Sequence, residues 1–316
     1  TCTYMEEDFA LGTASRPFCG GGQNEIFHVL YQQHAPASSW ADIRAIFARY
    51  LVNDTAPEDH WNGHHCLAQQ AYGVTVQDDR RALALYHPNG YLHQDITSLK
   101  LSLLLQEMTS PIEEIWIGDR LLPDGNGESA EADWVILRDG RMLLAFYPLA
   151  TTDLGRTAVI RSEQVNGYRL LSFYNYEGPT RDFSMHDVQI AQNGFVFEAA
   201  PLAEYGDARA FLADLRKAEI IDGTVLEDRR TRYYRDGREL FLWMHPALTT
   251  VKAAVVNGKA VDCPVLEIDG VDNARVPWLN QPGILYNDLS WWKRILDRPG
   301  VAGLENLSGR NVTDLP

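Results

Sequence analysis

The sequence contains no apolar run of about 18 residues, the length at which a helix can begin to cross a bilayer. It has neither the basic n-region nor the apolar h-region of a secretory leader, and it opens on Thr1 rather than Met, so a segment removed upstream is expected. Cysteine is scarce. Cys2, Cys19, Cys66 and Cys263 include no C-x-x-C pair, which argues against a thiolate zinc site. They allow two disulfides, with Cys2–Cys19 the more plausible pair, and buried free thiols account for them equally well. Positive charge is also short: 28 Lys and Arg stand against 43 Asp and Glu, a net charge of −15 that repels a phosphate backbone and excludes a nucleic-acid binder. The one dense basic run is Arg229, Arg230, Arg232, Arg235 and Arg238, read as a solvated strand face. Repeats, low-complexity tracts and linkers are absent, so a single domain over 1–316 is expected, loosely ordered from about residue 300.

What the chain does have is turn chemistry. Asn89-Gly90, Asp139-Gly140, Asn166-Gly167, Asn193-Gly194, Asp236-Gly237, Asn257-Gly258 and Asp269-Gly270 are pairs that supply the positive φ angles of tight hairpin turns. Their flanks are rich in β-branched and aromatic residues, as in Met142 to Tyr147, Tyr168 to Tyr174 and Leu240 to Trp243. Three segments read as helices: Trp40 to Leu51 capped by Ser38 or Ser39, Ala208 to Ile220 capped by Asp207, and Leu289 to Leu296. In the first, Ile43, Ile46, Phe47 and Tyr50 would share a face. The expected fold is therefore all-β: a large antiparallel multi-stranded β-sandwich, supersandwich-like, with two or three short peripheral helices.

Chemistry-bearing residues are dispersed. The most unusual segment is His60-Trp61-Asn62-Gly63-His64-His65. Asn62-Gly63 favours a loop, on which His60, His64 and His65 could ligate a metal, zinc or calcium, or His64 could act as acid or base near neutral pH. The zinc-protease pattern H-E-x-x-H is absent. Tyr4, His28, Tyr174, Tyr176 and His186 are residue types that can abstract a proton as a general base, and of these Tyr4 and His28 join His64 as catalytic candidates. Trp61, Tyr174, Tyr176, Trp291 and Trp292 are candidate sugar-binding aromatics. Adjacent tryptophans on a strand point to opposite faces, so one of Trp291 and Trp292 would be exposed.

The chain opens with Thr3-Tyr4-Met5 through Phe9-Ala10-Leu11-Gly12-Thr13, then Gly20-Gly21-Gly22-Gln23, and continues with Ala132-Asp133-Trp134-Val135, Arg138-Asp139-Gly140 and Leu144-Ala145. After Phe211-Leu212-Ala213-Asp214-Leu215 and Tyr233-Tyr234-Arg235-Asp236-Gly237 come Val256-Asn257-Gly258-Lys259 and Val276-Pro277-Trp278. Taken together, these segments resemble the C-terminal β-sandwich of heparinase II/III-like proteins. The resemblance spans nearly the whole chain and rests on strand and turn signatures. It implies a sandwich that partners an N-terminal (α/α) toroid, absent from this sequence, in a polysaccharide lyase that works by β-elimination. The implied ligand is an acidic polysaccharide or oligosaccharide, with no nucleic acid or membrane partner. The implied role is scaffold and cleft wall, inactive alone, in an extracellular or periplasmic setting. The N-x-S/T tripeptides at Asn53, Asn306 and Asn311 agree with that setting. Two other readings are a non-catalytic carbohydrate-binding module and a stand-alone small-molecule enzyme that uses a pocket in the sandwich.

Overall fold

A computed structural model describes residues 2–13, 26–33, 43–53, 72–87, 95–106, 110–149, 152–165, 167–184, 187, 191–225, 228–245, 250–261, 267–268 and 271–272. The chain divides into two compact units, Thr1–Pro17 with Gly22–Val261, and Phe18–Gly21 with Asp262–Pro316. The described part of the second unit is a ribbon, Glu267–Ile268 paired with Val271–Asp272.

The first unit is built from antiparallel strands. An eight-stranded sheet holds β1 (Cys2–Met5), β2 (Phe9–Thr13), β3 (Phe27–Gln32), β4 (Ile43–Val52), β7 (Ile96–Gln106), β10 (Gly127–Ser129), β13 (Ile160–Val165) and β14 (Tyr168–Arg181), in the order β1-β2-β3-β4-β7-β14-β13-β10. A seven-stranded sheet holds β5 (Tyr72–Asp78), β6 (Arg81–His87), β8 (Glu114–Ile117), β9 (Arg120–Leu121), β11 (Val135–Asp139), β12 (Met142–Pro148) and β15 (Asn193–Pro201), in the order β5-β6-β15-β12-β11-β8-β9. A third sheet is a five-stranded meander of β16 (Glu219–Val225), β17 (Asp228–Arg235), β18 (Arg238–His245), β19 (Thr250–Val256) and β20 (Lys259–Ala260). Two short helices, α1 (Leu202–Tyr205) and α2 (Ala208–Leu215), lie in the chain between β15 and β16. The side chain of Asp207 accepts from the amide of Ala210 and starts α2, as its position before the apolar run predicts. None of the helices among the described residues is long and apolar enough to cross a membrane.

The hydrophobic pattern explains the stacking. In β12 the run Met142-Leu143-Leu144-Ala145-Phe146 is buried at every position. Side chains on a strand alternate between faces, so an unbroken apolar run means that both faces are covered. Met142, Leu144 and Phe146 enter a core with Phe9, Leu11, Phe27, Leu101 and Leu103 of the eight-stranded sheet. Leu143 and Ala145 enter a second core with Tyr233, Leu240, Leu242 and Met244 of the meander and with Phe211, Leu212 and Leu215 of α2. The seven-stranded sheet is thus the middle layer. The first core centres on Phe27, whose ring lies 4.8 Å from Phe195 and 5.1 Å from Phe197, edge to face in both cases, the arrangement ring quadrupoles favour.

Several local expectations are corrected. The segment expected to be a helix, Trp40 to Leu51, is strand β4 from Ile43 onward, with buried and half-buried residues alternating from Ile43 to Tyr50. Ile43, Ile46, Phe47 and Tyr50 fit either period. Pairing of β4 with β3 on one side and β7 on the other decides it, and puts Ile46 and Tyr50 in the core with Phe47 on the opposite face. Asn193-Gly194 is not a turn but the start of β15, paired with Tyr86 and Leu85. Glycine is required at 194 because a Cβ there would lie 2.5 Å from the carbonyl oxygen of Ala84. Asp139 pairs with Met142, so the hairpin turn is Gly140-Arg141, one residue later than read. Gly140 has φ +56°, and a Cβ there would lie 1.8 Å from the Gln33 carbonyl oxygen. Asp236-Gly237 and Asn257-Gly258 do form two-residue turns, with positive φ at all four residues. The arginine run is not one solvated face either, because strand alternation buries Arg229 and Arg235 and turns Arg230 and Arg232 outward. The expected helix Leu289 to Leu296 and the Asn89-Gly90 and Asp269-Gly270 pairs lie outside the described residues.

Candidate functional site

Four of the sequence candidates fall on described strands. Tyr4 lies on β1, and its hydroxyl donates to Glu6, whose carboxylate beside it, with some burial, pushes the phenol up to about 12. That phenol is a poor proton acceptor near neutral pH. His28 on β3 stacks on Phe47, with ring centroids 4.9 Å apart, on the face of the eight-stranded sheet turned away from the middle layer. Tyr174 on β14 shares that face, but only 1% of it is exposed. Its hydroxyl accepts from Lys100 Nζ and Arg161 Nη1, each at 3.2 Å. Burial pushes this phenol up while Lys100 opposes the shift. Both cations also pair with carboxylates, Lys100 with Glu163 and Arg161 with Glu128 and Glu177. Tyr176 points into the core, edge-on to Phe183 at 5.0 Å, and donates to the Pro179 carbonyl. A bulge between Tyr174 and Tyr176 separates their directions. Strand order keeps Tyr4, His28 and Tyr174 on different, non-adjacent strands, so these candidates form no common site. His60, Trp61, His64, His65, His186, Trp291 and Trp292 lie outside the described residues. Among the described residues no group of three or more His, Cys, Asp or Glu is placed to hold a metal.

Buried ionisable groups elsewhere tie the layers together. Asp139 on β11 is fully buried, 2.7 Å from Arg44 on β4, and accepts from Tyr31 and Gln33 of the eight-stranded sheet and its margin. Burial raises the Asp139 carboxyl, with Arg44 and Tyr31 opposing. Glu198 on β15 accepts from Arg81, Arg235 and Tyr233, joining the middle sheet to the meander. A third chain crosses all three layers. Tyr50 donates to Asn175 Oδ1, which also accepts from Asn193; Arg229 Nη1 donates to the Asn193 carbonyl, and its Nη2 pairs with Asp222 at 2.7 Å. Each group is saturated by neighbours inside the protein, which suits holding layers in register better than chemistry on a substrate.

The outward face of the meander has different chemistry. Arg230 is exposed, with its guanidinium carbon 4.3 Å from the ring centroid of Trp243 directly across β17–β18. Trp243 Nε1 donates to Asp228 at 2.9 Å, which sets the ring's orientation. Two residues along, Arg232 faces Phe241, lies 5.2 Å from the Tyr234 ring, and is held by Glu239 and Glu219 at 2.6 and 3.1 Å. Ile221 and Tyr234 on the same face are 51% and 38% exposed, so solvent reaches it. Arg230 forms no ion pair among the described residues, whereas Arg232 forms two. A planar cation resting on an aromatic ring keeps its edge donors for a planar anion, and aromatic surface beside it suits a sugar ring.

The signal that places these residues is present in the sequence. The Asp236-Gly237 turn, taken as a two-residue link, sets the register of its flanks. Counting outward on both strands puts Arg230 opposite Trp243 and Arg232 opposite Phe241. Against known protein families and curated proteins, the chain has no match.

Proposed function

We propose that this chain is the β-sandwich of a polysaccharide-degrading, lyase-type enzyme, acting as scaffold and cleft wall, with an acidic polysaccharide resting on the outward face of the meander. The observation that carries this is the Arg230–Trp243 stack: an exposed, ring-supported guanidinium in a chain of net charge −15. A strongly acidic surface repels polyanions in general, so a local cation braced by aromatics selects where one can bind. The saturation of Asp139, Glu198 and Tyr50 by protein partners supports a structural role for the sandwich interior. The same face would serve a non-catalytic carbohydrate-binding module, which is the second reading.

The test has two parts. The purified chain is incubated with heparin, alginate and hyaluronan, and absorbance from unsaturated uronate ends is followed; the expected result is none. Affinity electrophoresis in gels containing the same polymers is then expected to show retardation that weakens in Arg230→Ala and Trp243→Ala. Turnover by the purified chain would overturn the scaffold role. Unretarded migration in every polymer, or retardation indifferent to both substitutions, would remove this face from the proposal.

A further inference from the structure

We propose that Gly223 on β16 shapes the polysaccharide face: the bare backbone beside Arg230 is the seat of one anionic sugar ring, whose acid group lies on the Arg230 guanidinium. This inference rests on the polysaccharide reading of the meander and adds to it the residue that decides what fits there.

The outward side of the meander is laid out in rows that cross the strands. Gly223 stands opposite Arg230, Arg230 opposite Trp243, and Trp243 opposite Ala253. The adjoining row is Ile221, Arg232, Phe241 and Val255. The two rows place an arginine in different company. In one, Ile221 fills the position on β16, and Glu219 and Glu239 hold Arg232 at 3.1 and 2.6 Å. In the other, β16 contributes no side chain. There the Arg230 guanidinium rests over Trp243 at 4.3 Å and forms no ion pair among the described residues. Trp243 lies on β18, so the stack draws the guanidinium away from β16 and leaves the backbone at Gly223 open. Neighbouring strands are about 4.8 Å apart, which keeps a ring seated there within reach of the cation. Ile221, 51% exposed, borders the seat with apolar surface.

The usual reasons for a glycine inside a strand do not apply at 223. Its φ is outside the left-handed region. Pairing with β17 runs unbroken from Glu219 to Val225, so there is no bulge. A Cβ there would meet nothing within 4 Å, so no neighbouring group needs the space. Glycine nonetheless weakens a strand relative to a residue with a side chain. The space it leaves lies on the solvent side, next to an exposed cation. Among the described residues β16 is the outermost strand of the meander, so a polymer can reach the seat from the edge.

The test uses affinity electrophoresis in whichever of heparin, alginate and hyaluronan retards the full chain most. Gly223→Val should weaken binding by about fivefold or more, and Gly223→Ala by about twofold, because the added atoms occupy the seat. The urea midpoint of Gly223→Val should stay level or rise, since valine suits a strand. Its binding loss should be the same at low and high salt, whereas the loss in Arg230→Ala should shrink as salt screens the charge. Parent-like binding by Gly223→Val beside weakened binding by Arg230→Ala would overturn the seat and leave the polysaccharide reading standing. Parent-like binding by Arg230→Ala, or no retardation of the parent, would remove both. A lowered urea midpoint in Gly223→Val would trace its binding loss to damage in β16 and overturn the proposal. So would light scattering that shows a parent dimer split by Gly223→Val, which would assign the glycine to strand pairing between copies.

Discussion

Arg235 and Glu198 meet between the middle sheet and the meander with 4% and 2% of their side chains exposed, and the same arginine reaches Asp214 on α2. One guanidinium therefore joins three elements: β15, β17 and α2. Removing one partner of a buried pair leaves the other charge without compensation, a loss of about 3–5 kcal/mol in comparable cases. Arg235→Ala should lower unfolding free energy by about that much in urea titrations. The double variant Arg235→Met with Glu198→Leu should recover a large part of the loss, because two apolar groups of similar volume need no counter-charge. A double variant as unstable as the sum of the single ones would show that the pair is not energetically coupled.

Gly140 offers a backbone test. Its positive φ and the Gln33 carbonyl pressed against it both oppose a side chain. Gly140→Ala should cost about 1–3 kcal/mol in unfolding free energy. Gly237→Ala shares the φ problem but meets nothing within 4 Å, so it should cost less in the same measurement.

Acid should weaken the link between β13 and β14 of the eight-stranded sheet through Glu177 and Arg161. The hydrogen bonds from Arg161 hold this carboxyl below the ordinary glutamate range, with burial opposing. A depressed folded-state pKa means that the unfolded chain binds the proton first. The contribution is thus complete above the unfolded value and is lost as pH falls through the folded one. Urea midpoints measured from about pH 6 to pH 3 should fall less steeply for Glu177→Gln than for the parent. Identical slopes would mean that this ion pair does not sense acid.

For the meander face, Arg230→Lys separates charge from shape. Lysine keeps the cation but loses the flat stack on Trp243 and the forked donors. Binding to an acidic polysaccharide should drop roughly fivefold in Arg230→Ala, and Arg230→Lys should restore only part of it. Full restoration by lysine, measured by titration calorimetry at fixed ionic strength, would reduce the stack to a point charge.

The hairpins were legible because Asp-Gly and Asn-Gly pairs dictate backbone angles locally, as at Asp236-Gly237 and Asn257-Gly258. Helix α2 was legible for the same reason, through its Asp207 cap. Strand β4 was misread because Ile43, Ile46, Phe47 and Tyr50 fit two periods, and only pairing with β3 and β7 selects one. Asn193-Gly194 has the composition of a turn, yet Gly194 serves close packing against Ala84. Among candidate functional residues, Tyr174 and Tyr176 were the right types at buried positions. Trp243 and Arg230 emerge only once strand register is used to place residues from two strands on one face.

The unbroken apolar run of β12 has a consequence for how the protein can be dissected. Cutting the chain ahead of Glu219 would remove Tyr233, Leu240, Leu242 and Met244, the meander's share of the cover over Trp134, Ile136, Leu143, Ala145 and Val196. Such a fragment would present a broad greasy plane to its neighbours and precipitate or self-associate, even with every strand of the two remaining sheets intact.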